Sequence, residues 1–197
     1  MVDFISYKSK PFQLFKDYFD FAVESNQQSI EAMCVSSVDL SSKQPHSRFV
    51  NLKYVNNNQL IFFSNYESNK AKQFNLCSNV SCVFFWPSIN IQIRINGVIE
   101  RTSANFSDEH FLKRSRVKNA LSISSDQSSK ISSFDEVVCK FNKVLKKSSI
   151  DNRPPYWGGY SITPNYFEFW KGSSNRLNKR EEYKLSNDTW IYSILEP

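Results

Sequence analysis

The chain has 197 residues, of which 40% are hydrophobic, 15% aromatic and 22% charged, a composition that supports one folded domain over 1–197. Formal net charge is +6, and only four glycines are present, so no GxGxxG or GxxxxGK[ST] phosphate loop can be written. The four cysteines form no CxxC pair, histidine occurs only at His46 and His110, and no run approaches the roughly 18 apolar residues of a membrane helix; a metal centre, a disulfide framework and a helical membrane span are therefore not expected. The cysteines read as buried free thiols. The opening MVDFISYKSKPF lacks the apolar core of a secretory signal, so a cytoplasmic protein is expected.

Pro11 opens an apolar-periodic run, Phe12, Phe15, Phe19 and Ala22, which predicts a helix to about Asn26. Short β-branched and aromatic stretches predict strands near 32–39, 47–55 and 59–64, with Asn56-Asn57-Asn58 supplying a tight turn. A short helix follows over 68–75. VSCVFFWP and INIQIRINGVIE read as two more strands joined through Pro87. Ser107 ahead of Asp108-Glu109 predicts a capped helix over 108–117. LSISSDQSSKISS reads as a loop, and the spacing of Val137, Val138, Phe141, Val144 and Leu145 predicts a helix over 134–147. NRPPYWGGY reads as a turn-rich link before YFEFWKG, EEYKLSN and TWIYSIL, three final strands. The fold class is mainly β with peripheral helices, most economically a closed antiparallel barrel.

No nucleophile–base pair and no paired carboxylates stand out. Mild basicity suits nucleic acid, an anionic membrane surface or phosphorylated small molecules. Polar clusters recur inside strand-like sequence: Arg48 with Lys53, Ser64 with Lys70, Gln92 with Arg94, Gln127-Ser128, and Arg176 with Arg180.

Seven motifs then occur in order: RFVNLK (48–53), FFSNYESNKAKQ (62–73), INIQIRINGVIER (89–101), DQSSKIS (126–132), PPYWGGY (154–160), FEFWKG (167–172) and RLNKR (176–180). In this order and spacing, from about Pro11 to Pro197, the chain resembles the pyridoxine/pyridoxamine 5′-phosphate oxidases. The resemblance implies a split antiparallel β-barrel working as a homodimer, with FMN at the subunit interface. It implies an oxidase that moves a hydride from C4′ of a phosphorylated pyridine to the flavin, with dioxygen as the final acceptor. It leaves no role for nucleic acid, whose alternative footprint would be KVLKK (143–147) and the RLNKR loop.

The resemblance maps cofactor contacts onto Arg48, Phe49, Val50, Asn51, Leu52, Lys53, Phe63, Ser64, Asn69, Lys70, Gln92, Gln127, Ser128, Trp170 and Arg180. Of these, Arg48, Ser64, Lys70, Gln127 and Ser128 would hold the phosphate, and Gln92, Trp170 and Arg180 the ring edge. Side chains would thus do what backbone amides do in glycine-rich loops. Substrate contacts map onto Lys53, His110, Arg114, Lys118, Arg176 and Asn178, the last two nearest the reacting end.

Six positions depart from the family pattern. Asn69 replaces an Arg beside Lys70, and Phe63-Ser64 replaces a Tyr-Thr pair. His110, Lys118 and Asn178 replace Tyr, Ser and His. On a continuous helix, the i, i+4, i+8 spacing of His110, Arg114 and Lys118 would align them into a rebuilt phosphate pocket. These departures keep open a related FMN oxidase of the phenazine-biosynthetic branch, or a flavin-binding protein without turnover.

Overall fold

A computed structural model describes residues 2–197. In chain order the elements are β1 (Asp3–Phe4), α1 (Lys10–Glu24), β2 (Ala32–Asp39), β3 (Gln44–Asn51), β4 (Tyr54–Asn56) and β5 (Gln59–Asn65). Next come α2 (Asn69–Leu76), β6 (Asn79–Trp86), β7 (Ile91–Arg101), α3 (Ala104–Lys113), α4 (Arg116–Ser124) and α5 (Phe134–Leu145). The chain ends with β8 (Trp157–Lys171), β9 (Lys179–Ser186) and β10 (Thr189–Leu195). The architecture is mainly β with peripheral helices.

All strands belong to one sheet, ordered β1-β4-β5-β8-β7-β6-β2-β3, with β9 and β10 continuing from β8. Among the described residues only the β1–β4 pair is parallel. The 15-residue β8 organises the rest. Along one edge it pairs with β7; along the other, its first half pairs with β5 and its second half with β9. The sheet therefore splits at β8.

Alternation decides which face is inside. Val80, Cys82, Phe84 and Trp86 of β6 are buried, as are Ile91, Ile93, Ile95 and Ile99 of β7. Helix α1 adds its apolar stripe to this core. Phe12 meets Phe167 edge-on at 5.1 Å, and Phe15 lies 5.3 Å from Phe84 and 5.8 Å from Trp86. Each such ring contributes roughly 1.5–3 kcal/mol by leaving water. The β4–β5 turn is held by Asn57 and Asn58, both left-handed at φ 49° and 56°, as a tight hairpin requires. Asn58 also anchors the entry to α1, its Oδ1 accepting from the Lys8 amide at 2.9 Å.

Five expectations are corrected. The strand expected over 47–55 is two, β3 and β4, interrupted at Leu52 and Lys53, where the chain turns from one to the other. The helix expected over 108–117 is two helices, broken at Arg114 and Ser115, so His110, Arg114 and Lys118 do not share a continuous helical face. Part of the expected serine-rich loop is the second half of α4. The end of the expected link, Trp157 to Tyr160, is the start of β8. Of the cysteines only Cys82 is buried; Cys34 and Cys77 are intermediate and Cys139 is exposed.

WGGY reads as part of a link because its two glycines resemble turn residues, yet it is strand. The glycines are required by close approach instead. A Cβ on Gly158 would lie 2.1 Å from Tyr66 Oη, and one on Gly159 would lie 2.4 Å from Thr102 Oγ1.

Candidate active site

A cleft of about 340 Å³ opens between β3, β5, α2 and the α3–α4 break, and its lining is Phe49, Val50, Asn51, Lys53, Phe63, Ser64, Lys70, Arg114, Lys118 and Gln127. Every one of these ten was among the sequence candidates. Four are cations and none is acidic. A smaller hollow of about 200 Å³ adjoins it through Phe63, Ser64 and Gln127.

At one end Lys70, in the first turn of α2, donates to Ser64 Oγ at 3.0 Å and to Ser68 Oγ at 3.2 Å. Ser64 Oγ donates in turn to Gln127 Oε1 at 3.4 Å. Burial, with Arg48 nearby, pushes the Lys70 ammonium down to about 8. Arg48 stands behind this end and does not line the cleft. Its guanidinium donates to Ser37 Oγ at 2.7 Å, to the Val35 carbonyl at 3.2 Å and to Gln73 Oε1 at 2.9 Å. An anion placed among Lys70, Ser64 and Gln127 would receive charge-assisted bonds and relieve the repulsion between Lys70 and Arg48.

At the other end Lys53, Arg114 and Lys118 converge, although the helix carrying the last two is broken. Arg114 caps α3 and reaches across the break, donating to Ser122 Oγ at 2.8 Å and to the Lys118 carbonyl at 3.0 Å. Its guanidinium lies 4.2 Å over the Trp157 ring. Burial pushes Arg114 down to about 10, and burial also lowers Lys53.

His110 is not part of the lining. Its ring stacks on Phe63 at 3.7 Å, and Nδ1 shares a 2.8 Å hydrogen bond with Tyr54 Oη. Burial first, then Arg114 and Lys53, push the imidazole down to about 4. His110 is thus a neutral ring behind the Phe63 wall, not a further cation. Trp157 stacks on the same Phe63 at 5.3 Å.

The ring-edge candidates form a separate group. Gln92 pairs directly with Trp170, and Trp170 with Arg180. Directly paired residues share a face, so these side chains stand in a row on the outward face of the sheet, which Phe85 of β6 extends. Arg176, left-handed at φ 63°, and Asn178 lie on the β8–β9 loop beyond this row. Asn178 Oδ1 accepts from the Ser173 amide at 3.1 Å. Asn69 is exposed in the first turn of α2, and Ser128 faces a different hollow beside α5. Leu52 is wholly buried in the core. None of Gln92, Trp170, Arg180, Arg176, Asn178, Asn69, Ser128 or Leu52 lines the cleft.

Residues 20–148 match the family model described as Pyridoxamine 5′-phosphate oxidase, and residues 157–197 the one described as Pyridoxine 5′-phosphate oxidase C-terminal dimerisation region. The pyridoxine/pyridoxamine 5′-phosphate oxidase of Rippkaea orientalis is 38% identical to the chain, the match covering 95% of this chain and 89% of that one. The oxidase 1 of Hydrogenovibrio crunogenus is 34% identical, over 96% and 89% respectively. The chain belongs to the pyridoxine/pyridoxamine 5′-phosphate oxidase family. Solved structures share the fold. PhzG from Burkholderia lata 383, in complex with tetrahydrophenazine-1-carboxylic acid, superposes with a TM-score of 0.91 at 24% identity, covering 100% of this chain and 99% of that one. A pyridoxamine 5′-phosphate oxidase-related, FMN binding protein from Nostoc punctiforme superposes at 0.80 and 14% identity, over 96% and 99%.

In this member of the oxidase family Trp170 and Arg180 of the outward row fall within the dimerisation match at 157–197, as do Arg176 and Asn178 on the loop beyond it, whereas Gln92 and Phe85 fall outside it. Sequence reading missed three supports. Glu168 holds Arg94 and Arg180, Tyr54 holds His110, and Gln73 with Ser37 holds Arg48. Each partner is more than ten residues away along the chain. Only the register of β7, β8 and β9 could have suggested the first.

Proposed function

We propose that this protein is an FMN-dependent oxidase that converts pyridoxamine or pyridoxine 5′-phosphate to pyridoxal 5′-phosphate, with dioxygen as acceptor. The observation that carries the reading is the cleft: two groups of phosphate-directed side chains, Lys70 with Ser64 and Gln127, and Lys53 with Arg114 and Lys118, with no carboxylate among its ten lining residues. Two phosphates, one of the cofactor and one of the substrate, match two such groups.

The donor set fits a flavin mononucleotide. A depressed Lys70 beside hydroxyl and amide donors suits a single phosphate, and the flat Phe63 wall suits an aromatic neighbour. FMN, when bound, supplies the two-electron acceptor that no side chain here provides. The chain's own work is positioning. Lys53, Arg114 and Lys118 bind the substrate phosphate. His110, neutral and stacked, holds the wall rather than the charge. Arg176 and Asn178 orient the reacting end, and Asn178 has no titratable group with which to move a proton. Gln92, Trp170 and Arg180 lie outside the cleft of their own protomer. Each site is therefore assembled from the cleft of one protomer and the outward row of its partner in a homodimer.

The test is to purify the protein, release and identify its flavin, and follow hydrogen peroxide on adding pyridoxamine 5′-phosphate. Bound FMN with peroxide and pyridoxal 5′-phosphate formed in equal amounts is the expected result. FMN without turnover of either pyridine would favour another substrate or a flavin-binding role, and no flavin uptake would remove the reading.

A further inference from the structure

We propose that Glu168 is a positioning residue for the flavin site: it fixes the Arg180 guanidinium so that one amino nitrogen is free to meet the ring edge. The inference rests on the reading of the Gln92–Trp170–Arg180 row as the ring-edge contact.

Glu168 stands on β8 with its side chain 2% exposed, although it belongs to the outward face of the sheet. Arg94 Nη1 donates to its Oε2 at 2.8 Å and Tyr166 Oη to the same oxygen at 3.0 Å. Arg180 Nε donates to Oε1 at 2.9 Å. Directly opposite on β9 is a second buried carboxylate, Glu182, whose charge is met by Lys184 at 3.1 Å. Two like charges at paired positions are unfavourable, and burying an ion pair is weak grounds for stability. What the arrangement does provide is orientation. Arg180 is held at two points, by Nε on Glu168 and by Nη1 on the Glu196 carbonyl at 2.9 Å. Nη2 has no hydrogen-bond partner among the described residues. A guanidinium held at Nε and Nη1 loses its freedom to rotate about its last bonds, so Nη2 is held in one direction, on the residue paired with Trp170. Arg94 and Tyr166 hold the clamp itself, taking up the other carboxylate oxygen.

A residue that acts only through Arg180 has a signature that a structural role lacks: its effect disappears when Arg180 is removed. The experiment is a double-mutant cycle of Glu168→Gln and Arg180→Ala, read as FMN dissociation constants from quenching of flavin fluorescence on titrating the apoprotein. Reduction potentials of the bound flavin and thermal midpoints are measured alongside. Arg180→Ala is expected to weaken FMN about tenfold or more. Glu168→Gln is expected to weaken it several-fold and shift the potential, yet to change neither when Arg180 is already alanine.

Equal losses from Glu168→Gln in both backgrounds would overturn the proposal and leave the row intact. No effect of Arg180→Ala would remove the row as the ring-edge contact, and the proposal with it. Should Glu168→Gln fail to fold, Glu168→Asp takes its place, keeping the charge while drawing it back from Nε. Wild-type FMN affinity in the aspartate variant would overturn the proposal just as directly.

Discussion

Lys70 Nζ lies 3.0 Å from Ser64 Oγ at the cationic end of the cleft, and burial with Arg48 nearby brings the ammonium down to about 8. FMN phosphate prefers the charged form of Lys70, so binding and protonation are linked. In the free protein that proton is lost as pH rises through about 8. FMN affinity is expected to fall above pH 8 with a slope of one proton. Lys70→Arg, which stays charged, should flatten the profile. Titrations of apoprotein between pH 7 and 10 check this, and an unchanged slope in Lys70→Arg would remove Lys70 from the phosphate site.

His110 gives a second pH effect, of the opposite sign and on stability. Its folded value, about 4, lies below the ordinary histidine value of 6.5. Between those values the unfolded chain binds the extra proton, so stability rises with pH across 4–6.5 and is lost on acidification through that window. His110→Phe keeps a ring on Phe63 and removes the titration. It is expected to lower stability at pH 7.5 through the orphaned Tyr54 hydroxyl, yet to lose less than the wild type on going to pH 5. Thermal midpoints of both proteins at the two pH values decide it.

The outward row predicts that assembly and cofactor binding fail together. Phe85 is 56% exposed and pairs with Gln92 at the head of the row. Phe85→Asp leaves the core untouched, because the inward residues of β6 are Val80, Cys82, Phe84 and Trp86. It is expected to yield a folded monomer with FMN affinity reduced at least tenfold. Light scattering with an FMN titration measures both, and a variant that stays dimeric with full affinity would place the interface elsewhere.

The chain made most of the cleft legible because eight of its ten lining residues fall within short motifs, four in RFVNLK, three in FFSNYESNKAKQ and Gln127 in DQSSKIS, while Arg114 and Lys118 lie outside them. Strand parity was also legible: β6 and β7 alternate so regularly that their inward sets follow from period two. The break at Arg114–Ser115 was not. Both residues are compatible with a helix, and the stop is set by tertiary contacts, the Arg114 guanidinium turning to Trp157 and Ser122. The fate of His110 was hidden for the same reason. Its stacking and hydrogen-bond partners, Phe63 and Tyr54, lie some 50 residues away, and helical spacing cannot report that a ring is buried. The clamp on Arg180 depends on the register of β7, β8 and β9. A one-residue slip would have put Glu168 on the inner face, so only the folded sheet reveals it.

The last prediction concerns the second group of cations. Arg114 is half-buried, holds two hydrogen bonds across the helix break and lies over the Trp157 ring, so its position is fixed before any substrate arrives. Lys118 is exposed at the rim. Their contributions to phosphate recognition should differ accordingly. Arg114→Ala is expected to lower kcat/KM for pyridoxine 5′-phosphate roughly 10–150-fold, the worth of a charge-assisted hydrogen bond, while leaving unphosphorylated pyridoxine nearly unchanged. Arg114→Lys should not restore the loss, because an ammonium lacks the planar fork that bridges Ser122 and the Lys118 carbonyl while stacking on indole. Lys118→Ser should cost only a few-fold at low salt, and that difference should vanish near physiological ionic strength, where charges about 8 Å apart are already screened. Steady-state kinetics on both substrates at two salt concentrations, with thermal midpoints to exclude unfolding, provide the check. If Arg114→Ala lowers turnover of phosphorylated and unphosphorylated pyridoxine alike, Arg114 supports the fold of the α3–α4 break rather than the phosphate. If Lys118→Ser costs as much as Arg114→Ala and resists salt, the rim lysine, not the anchored arginine, carries the recognition.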